Sequence, residues 1–249
     1  MNYLSGKTKA GSQYQGEQAA ARYQRTRKIA FCKLTQTAKF LAVNDIVKIE
    51  LHCHTAPRSH CAGSTPDELL SVYSDAGYGA VFITDHDTVW PEEDIKALQA
   101  RHPRIRIFPG IERSIGNLGD VHLLILGTND PSYLETDDPA VLIPKARSDG
   151  YVTVLAHPCI RAESANILKI GIFPDAIEYR TGSQGGRHAE IAKNVAYVFK
   201  LPLLNSGDVH HTTQINQFWI ETAAPLTTID DLRDIIFRGT YQNRVSDQE

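Results

Sequence analysis

The sequence predicts an α/β fold whose mainly parallel sheet closes as a distorted seven-stranded barrel, (β/α)7 and TIM-like in type, in preference to an open doubly wound sheet. Three observations lead there. Roughly seven short apolar, β-branched runs alternate with segments of helical periodicity. Histidines and carboxylates gather where those runs end, the rim at which β/α barrels carry their chemistry. Neither an internal repeat nor a glycine-rich phosphate loop is visible.

The pattern begins at Val47, so the chain divides into 1–44 and 45–249. Residues 1–15 are polar and rich in Gly, Ser and Gln, the composition of a disordered segment, and 16–42 form at most a helix with an indistinct apolar stripe. Residues 1–44 hold eight Lys/Arg and one acid, Glu17, a net of +7 that leaves −10 for the rest of a chain whose formal net is −3. Such a basic arm suits a polyanion, resembles an organelle transit peptide, reflects a start codon set too far upstream, or is a solvated extension. The last is the plainest reading.

From Ile46 to Thr55 an apolar run ends in His52-Cys53-His54. Residues i and i+2 of a strand share a face, so both imidazoles can reach one ion. Thr65-Pro66-Asp67-Glu68 is a helix start, with Thr as N-cap, Pro at the first position and Glu completing a capping box; Gly77 ends the helix. A strand over 79–84 runs into Asp85-His86-Asp87. A helix follows from about Pro91 to Gln99, then a strand over 105–108 and a turn, Pro109-Gly110-Ile111-Glu112, that presents a carboxylate. The run 121–126, carrying His122, is a strand able to pair back on its predecessor. A helix near 141–148 contains Pro144, which places its start there. Strand 151–156 ends in His157, strand 176–179 carries Glu178, and 187–200 is helical. Residues 202–210 form a strand entering a turn with Asp208 and His210. Thr228 caps a last helix faced by Leu232, Ile235 and Ile236.

No run approaches the ~18 apolar residues of a membrane span, and a secretory signal is not evident. The four cysteines (Cys32, Cys53, Cys61, Cys159) lack Cys-x-x-Cys pairing, which points to a reducing, cytoplasmic setting. They read either as soft metal ligands or as small packing residues; each is out of phase with its neighbouring His, which favours packing.

Seven of the ten histidines (His52, His54, His60, His86, His122, His157, His210) lie at predicted strand ends or in the loops that follow, as do Glu112 and Asp208. An imidazole and carboxylate set of nine suits Zn, Mn or Fe, and exceeds the need of one ion; two or three ions bridged by a carboxylate would use it.

His52-x-His54, His60, Thr84-Asp85-His86-Asp87, Pro109-Gly110-Ile111-Glu112, His122, Ala156-His157-Pro158 and Asn205-Ser206-Gly207-Asp208-Val209-His210 resemble, in order and spacing, the motifs of the PHP (polymerase and histidinol phosphatase) family. The resemblance covers about residues 47–240 and implies a metal-dependent phosphoesterase domain in 45–249 with up to three divalent ions. It implies that His52, His54, Glu112 and Asp208 hold one ion, that Glu112 bridges to a second held by His122 and His157, and that His60, His86 and His210 hold a third. Asp85 resembles a carboxylate that orients a ligand His, or is an N-cap for the next turn. Glu50 stands where Asp is common before His-x-His.

The expected reaction is in-line attack of a metal-bridging hydroxide on a phosphomonoester, without a covalent intermediate. Arg161 and Arg180 are the expected phosphate donors, with Arg58 and Arg113 as weaker candidates; His188 or His211 is the candidate leaving-group acid. Two alternatives accompany the small-molecule phosphatase: a nuclease trimming short oligonucleotides with help from the basic arm, and a metal-stabilised module without turnover. An amidohydrolase is chemically conceivable, but no Lys ends a predicted strand to bridge its metals.

Overall fold

A computed structural model describes residues 46–116, 121–160, 165–223 and 225–246. The extension expected over 1–44 lies outside the described residues, and so does Arg161. In chain order the elements are β1 (Val47–Cys53), α1 (Pro66–Asp75), β2 (Tyr78–Ile83), α2 (Glu92–Arg101), β3 (Arg106–Ile115), β4 (Val121–Leu126), α3 (Pro139–Asp149), β5 (Val152–Ala156), α4 (Asn166–Lys169), β6 (Ala176–Glu178), α5 (Gly186–Phe199), β7 (Leu203–Leu204), β8 (Phe218–Thr222), α6 (Ile229–Arg238) and β9 (Tyr241–Val245).

Local chemistry accounts for most boundaries. Thr65 caps α1 through its hydroxyl, which accepts from the Glu68 amide, while Glu68 Oε2 accepts from the Thr65 amide at 2.8 Å. Thr228 and Asp231 repeat this box at α6. Helix α3 starts before Pro144. Asp138 Oδ1 accepts from the Ala140 amide at 2.8 Å and Pro139 takes the first position, so Pro144 sits inside the helix. Pro109-Gly110 is not a turn. β3 runs straight through it because the strand changes partner there: Ile83 of β2 faces Pro109, and Leu126 of β4 faces Gly110. A Cβ on Gly110 would stand 3.0 Å from Thr84 Cγ2 and 3.2 Å from the Ile125 carbonyl oxygen, which accounts for the glycine.

The sheet has nine strands, ordered β7-β6-β5-β4-β3-β2-β1-β8-β9, where seven were expected. Nor is it mainly parallel: of eight pairings, four are parallel and four antiparallel. The connection between Ile115 and Val121 is too short for the dozen residues of a parallel crossover, so β4 runs back on β3 as a hairpin. The two additional strands, β8 and β9, pair antiparallel beside β1.

The sheet curls until its ends nearly meet. Asn205 donates its backbone N–H to Asn243 Oδ1 (2.7 Å) and its side-chain amide to the Arg244 carbonyl (2.8 Å), and Tyr241 and Asn243 both donate to the Leu203 carbonyl at 2.9 Å. Past β7 the chain bridges to β1, where the His54 amide donates to the Val209 carbonyl (2.8 Å) and the Val209 amide to the His52 carbonyl (3.1 Å). That closure sets Asp208 and His210 beside His52 and His54.

One apolar cluster joins Ile49, Leu51, Phe82, Leu124 and Val154 of the sheet to Leu232, Ile235 and Ile236 of α6. α6 also meets Gly127 and Gly150, at the strand ends away from the histidines. The opposite rim is thereby left to polar groups. Among the described residues no helix is long and apolar enough to cross a membrane.

Candidate metal centre

At that rim β1, β3 and the 205–210 segment bring four donors together. His52 Nε2 and His54 Nε2 stand 3.0 Å apart. Glu112 Oε2 lies 3.2 and 3.1 Å from them, and Asp208 Oδ1 3.4 and 3.2 Å. Donors about 2.0–2.1 Å from one ion stand about 3.3–3.4 Å apart at tetrahedral corners, so the spacing of His52, His54 and Glu112 suits a single cation with slight expansion, and Asp208 faces both imidazoles. All four residues are buried.

Glu112 Oε2 is the informative atom. Nitrogens of His52, His54 and His86 converge on it at 3.1–3.2 Å. The other oxygen, Oε1, faces His122 Nδ1 at 2.8 Å and His157 Nε2 at 3.1 Å. One carboxylate thus looks toward two groups of imidazoles, the disposition a bridging ligand needs.

Electrostatics follow this crowding. Burial works to raise Glu112 and Asp208, but the histidines around them outweigh it and hold both carboxyls well below the usual range. Burial works in turn to lower His52, His54 and His157, and the facing carboxylates overcome it and raise all three. His86 goes the other way: burial lowers it to about 4 despite Glu112.

The described metal-capable groups are His52–His54–Glu112, His86–Glu112–His122, and His54–Cys61–His86–His210, whose donor atoms lie within 4.8 Å of one another in each group. His60 joins none of them and is exposed. Its neighbour Cys61, also exposed, belongs to the last of these groups. Cys53 is a packing residue, fully buried with its thiol donating to the Phe82 carbonyl.

Asp85 touches no imidazole. Its carboxylate accepts from Thr55 N (2.6 Å), Thr55 Oγ1 (2.6 Å), Ser59 Oγ (2.6 Å) and Trp90 Nε1 (2.8 Å). Ser59 Oγ in turn lies 3.3 Å from His54 Nδ1 and accepts from the His86 amide. Asp85 therefore acts on two site histidines through one hydroxyl.

The residue that the sequence reading missed is Glu178. It accepts from His52 Nδ1 at 2.8 Å and from the His157 amide at 2.6 Å, and Ser206 donates to it as well. A bond at Nδ1 turns His52 Nε2 toward the donors above. The available signal was a carboxylate closing a three-residue apolar strand, Ala176-Ile177-Glu178, where burial demands a partner.

The arginines separate. Arg58 is committed to Asp94 at 2.6 Å and lies 4.2 Å over the Trp90 ring. Arg113 pairs with Asp87 and donates to the Thr136 carbonyl. Arg180 is half-buried, 5.7 Å from the Tyr179 ring centre. His188 and His211 are exposed, and His211 stacks where a Cβ on Gly63 would fall, within 1.9 Å.

No family model and no curated protein sequence matches the chain. Solved structures do match. A two-domain protein from Bacteroides vulgatus containing a predicted PHP-like metal-dependent phosphoesterase aligns over 85% of this chain and 69% of its own, at 16% identity and a TM-score of 0.61. A Bifidobacterium adolescentis protein proposed to be a metal-dependent phosphoesterase aligns over 76% and 96%, at 17% identity and 0.57. A lesion-specific endonuclease from Pyrococcus furiosus aligns over 80% and 57%, at 14% identity and 0.57. The chain therefore has the fold of PHP-like metal-dependent phosphoesterases, in agreement with the resemblance read from its motifs.

Proposed function

We propose that the chain is a metal-dependent phosphoesterase acting on a phosphomonoester at a centre of three divalent ions. The observation that carries the reading is Glu112. A buried carboxylate with one oxygen among His52, His54 and His86, and the other between His122 and His157, is built to share cations. His52, His54, Glu112 and Asp208 would hold the first ion, Glu112, His122 and His157 the second, and His60, His86 and His210 the third.

Bound ions would supply hydroxide near neutral pH and offset charge developing on the phosphoryl oxygens. The protein's own residues do the rest. Glu178 fixes the His52 tautomer, and Ser59, held by Asp85, fixes His54 and the loop entering His86. Ion binding would compete with protons for the site histidines, so affinity would rise with pH. Arg180 is our candidate donor to the phosphate, together with Arg161, which lies outside the described residues.

A panel of p-nitrophenyl phosphate, nucleotides, histidinol phosphate and short RNA, assayed with Zn, Mn or Fe, tests this reading. We expect metal-dependent release of phosphate from at least one monoester, abolished by chelator. Turnover that survives both chelation and Glu112→Ala would refute it. The endonuclease among the structural neighbours and the basic 1–44 stretch support a second reading, an oligonucleotide substrate. Deleting 1–44 would then abolish RNA cleavage and spare the small monoesters.

A further inference from the structure

We infer that Ser183 and Gln184 are positioning residues of the metal centre, carried on one turn that fixes both the Asp208 carboxylate and the backbone at His157. The inference rests on the metal-centre reading above, in which those two residues ligate different ions.

Both ligands need holding. His157 and Asp208 have φ of +29° and +49°, in the left-handed region that residues other than glycine enter at a cost. Each is tied on both sides. The His157 amide donates to Glu178 Oε2 at 2.6 Å, and two residues on the Cys159 amide donates to Gln184 Oε1 at 2.8 Å. The Gly207 amide, just before Asp208, donates to Glu50 Oε1 at 2.7 Å, and the Gly207 carbonyl accepts from the Gly182 amide at 2.8 Å. The 181–184 turn, which follows β6, therefore reaches the chain beside each ligand.

That turn closes without the two side chains in question. Thr181 is buried, and its hydroxyl accepts from the amides of Ser183 (3.1 Å) and Gln184 (2.9 Å). Its own amide donates to the Gln184 carbonyl at 3.0 Å. The side chains of Ser183 and Gln184 are thereby left for other elements. Ser183 Oγ donates to Asp208 Oδ2, which leaves Oδ1 facing His52 and His54. The Gln184 side chain is fully buried. Its nitrogen donates to the Glu178 (3.2 Å) and Tyr179 (3.0 Å) carbonyls while its oxygen holds Cys159. It clamps the end of β6 to the loop leaving β5. Gly182 permits the close approach to the other side, since a Cβ there would stand 2.8 Å from the Gly207 carbonyl oxygen.

Partners of this kind, which orient a ligand without touching the ion, are worth about 10–100-fold in metal affinity. Ser183 keeps Asp208 turned with one oxygen to the first ion. Gln184 holds the chain after His157 so that its imidazole stays beside Glu112 Oε1, on the second ion.

Zinc titrated into metal-free protein against a chromophoric chelator tests the assignment without an activity assay. Ser183→Ala and Gln184→Ala should each weaken zinc binding about 10–100-fold, and Ser183→Thr should restore the wild-type affinity. Double-mutant cycles separate positioning from a general loss of structure. Ser183→Ala should add nothing once Asp208→Ala is present, and Gln184→Ala nothing once His157→Ala is present, while each keeps its full effect in the other background. Ser183 is exposed, so its variant keeps the test open should Gln184→Ala fail to fold. Wild-type affinity in Ser183→Ala, or an effect undiminished in the background of its own ligand, would overturn the inference and leave the metal-centre reading standing. Wild-type protein that binds no zinc would overturn both.

Discussion

Glu50 and Glu112 are chemically identical, each is fully buried on the sheet, and the fold treats them in opposite ways. Glu50 sits among backbone amides: Oε1 accepts from Leu51 (3.0 Å), His52 (3.1 Å) and Gly207 (2.7 Å), while Oε2 has no partner. Burial, only partly offset by these amides and by His52, pushes its carboxyl up to about 7. Glu112 sits among five imidazoles and is held well below the ordinary range. Burial alone neutralises a carboxylate; surrounding cations, or groups that can become cationic, keep it charged. Glu50 is a device for tying β1 to the 207 turn, and Glu112 is a device for holding positive charge.

The largest expected effect comes from removing the charge at the second carboxylate. Glu112→Gln keeps its shape and should lower phosphatase turnover by on the order of 10³-fold, with bound metal falling in parallel by elemental analysis. Full metal content in that variant would break the contrast. Next is Glu178→Gln, which removes the acceptor for His52 Nδ1. It should weaken metal affinity about 10–100-fold, read by competition with a chromophoric chelator, while leaving ligand identities unchanged.

Glu50→Gln should do the reverse of Glu112→Gln: stabilise. Below pH 4.5 Glu50 is protonated in both folded and unfolded chains. Between 4.5 and about 7 only the unfolded chain loses the proton, so stability falls as pH rises through that window and the penalty is complete above it. The substituted amide cannot ionise, so urea midpoints should show a gain of about 2 kcal/mol at pH 8 that shrinks toward zero near pH 5. A gain independent of pH would contradict the assignment.

The smallest effect is at the surface. Asp67 binds Arg101 (2.8 Å) and His102 (2.8 Å), and the Arg101 bond, ahead of the opposing burial and the His102 bond, lowers its carboxyl to about 2. Half exposed, it should cost under about 1 kcal/mol as Asp67→Asn in thermal melts at pH 7, a contribution lost only as pH falls through about 2.

Legibility in the sequence followed the range of the interaction. The shared face of His52 and His54, the Thr65 capping box, the Thr228 cap and the β3–β4 hairpin are written in spacings of two to four residues or in a short connection, and the structure has each of them. β9 was not: Tyr241-Gln242-Asn243-Arg244-Val245 is half to fully exposed along its length, and pairing with β8 and side-chain bridges to Leu203 and Asn205 hold it in place. Pro109-Gly110 looked like a turn because the change of partner from β2 to β4 is a tertiary fact. Glu178 waited on the same kind of information, since its partner His52 is 126 residues away.

The most direct test of the central claim is anomalous scattering from crystals grown with zinc or manganese. Metal should appear about 2.0–2.2 Å from His52 Nε2, His54 Nε2, Glu112 Oε2 and Asp208 Oδ1 together, with a second ion on Glu112 Oε1 between His122 and His157. Peaks confined to surface residues, with Glu112 instead taking hydrogen bonds from its histidines, would contradict the account.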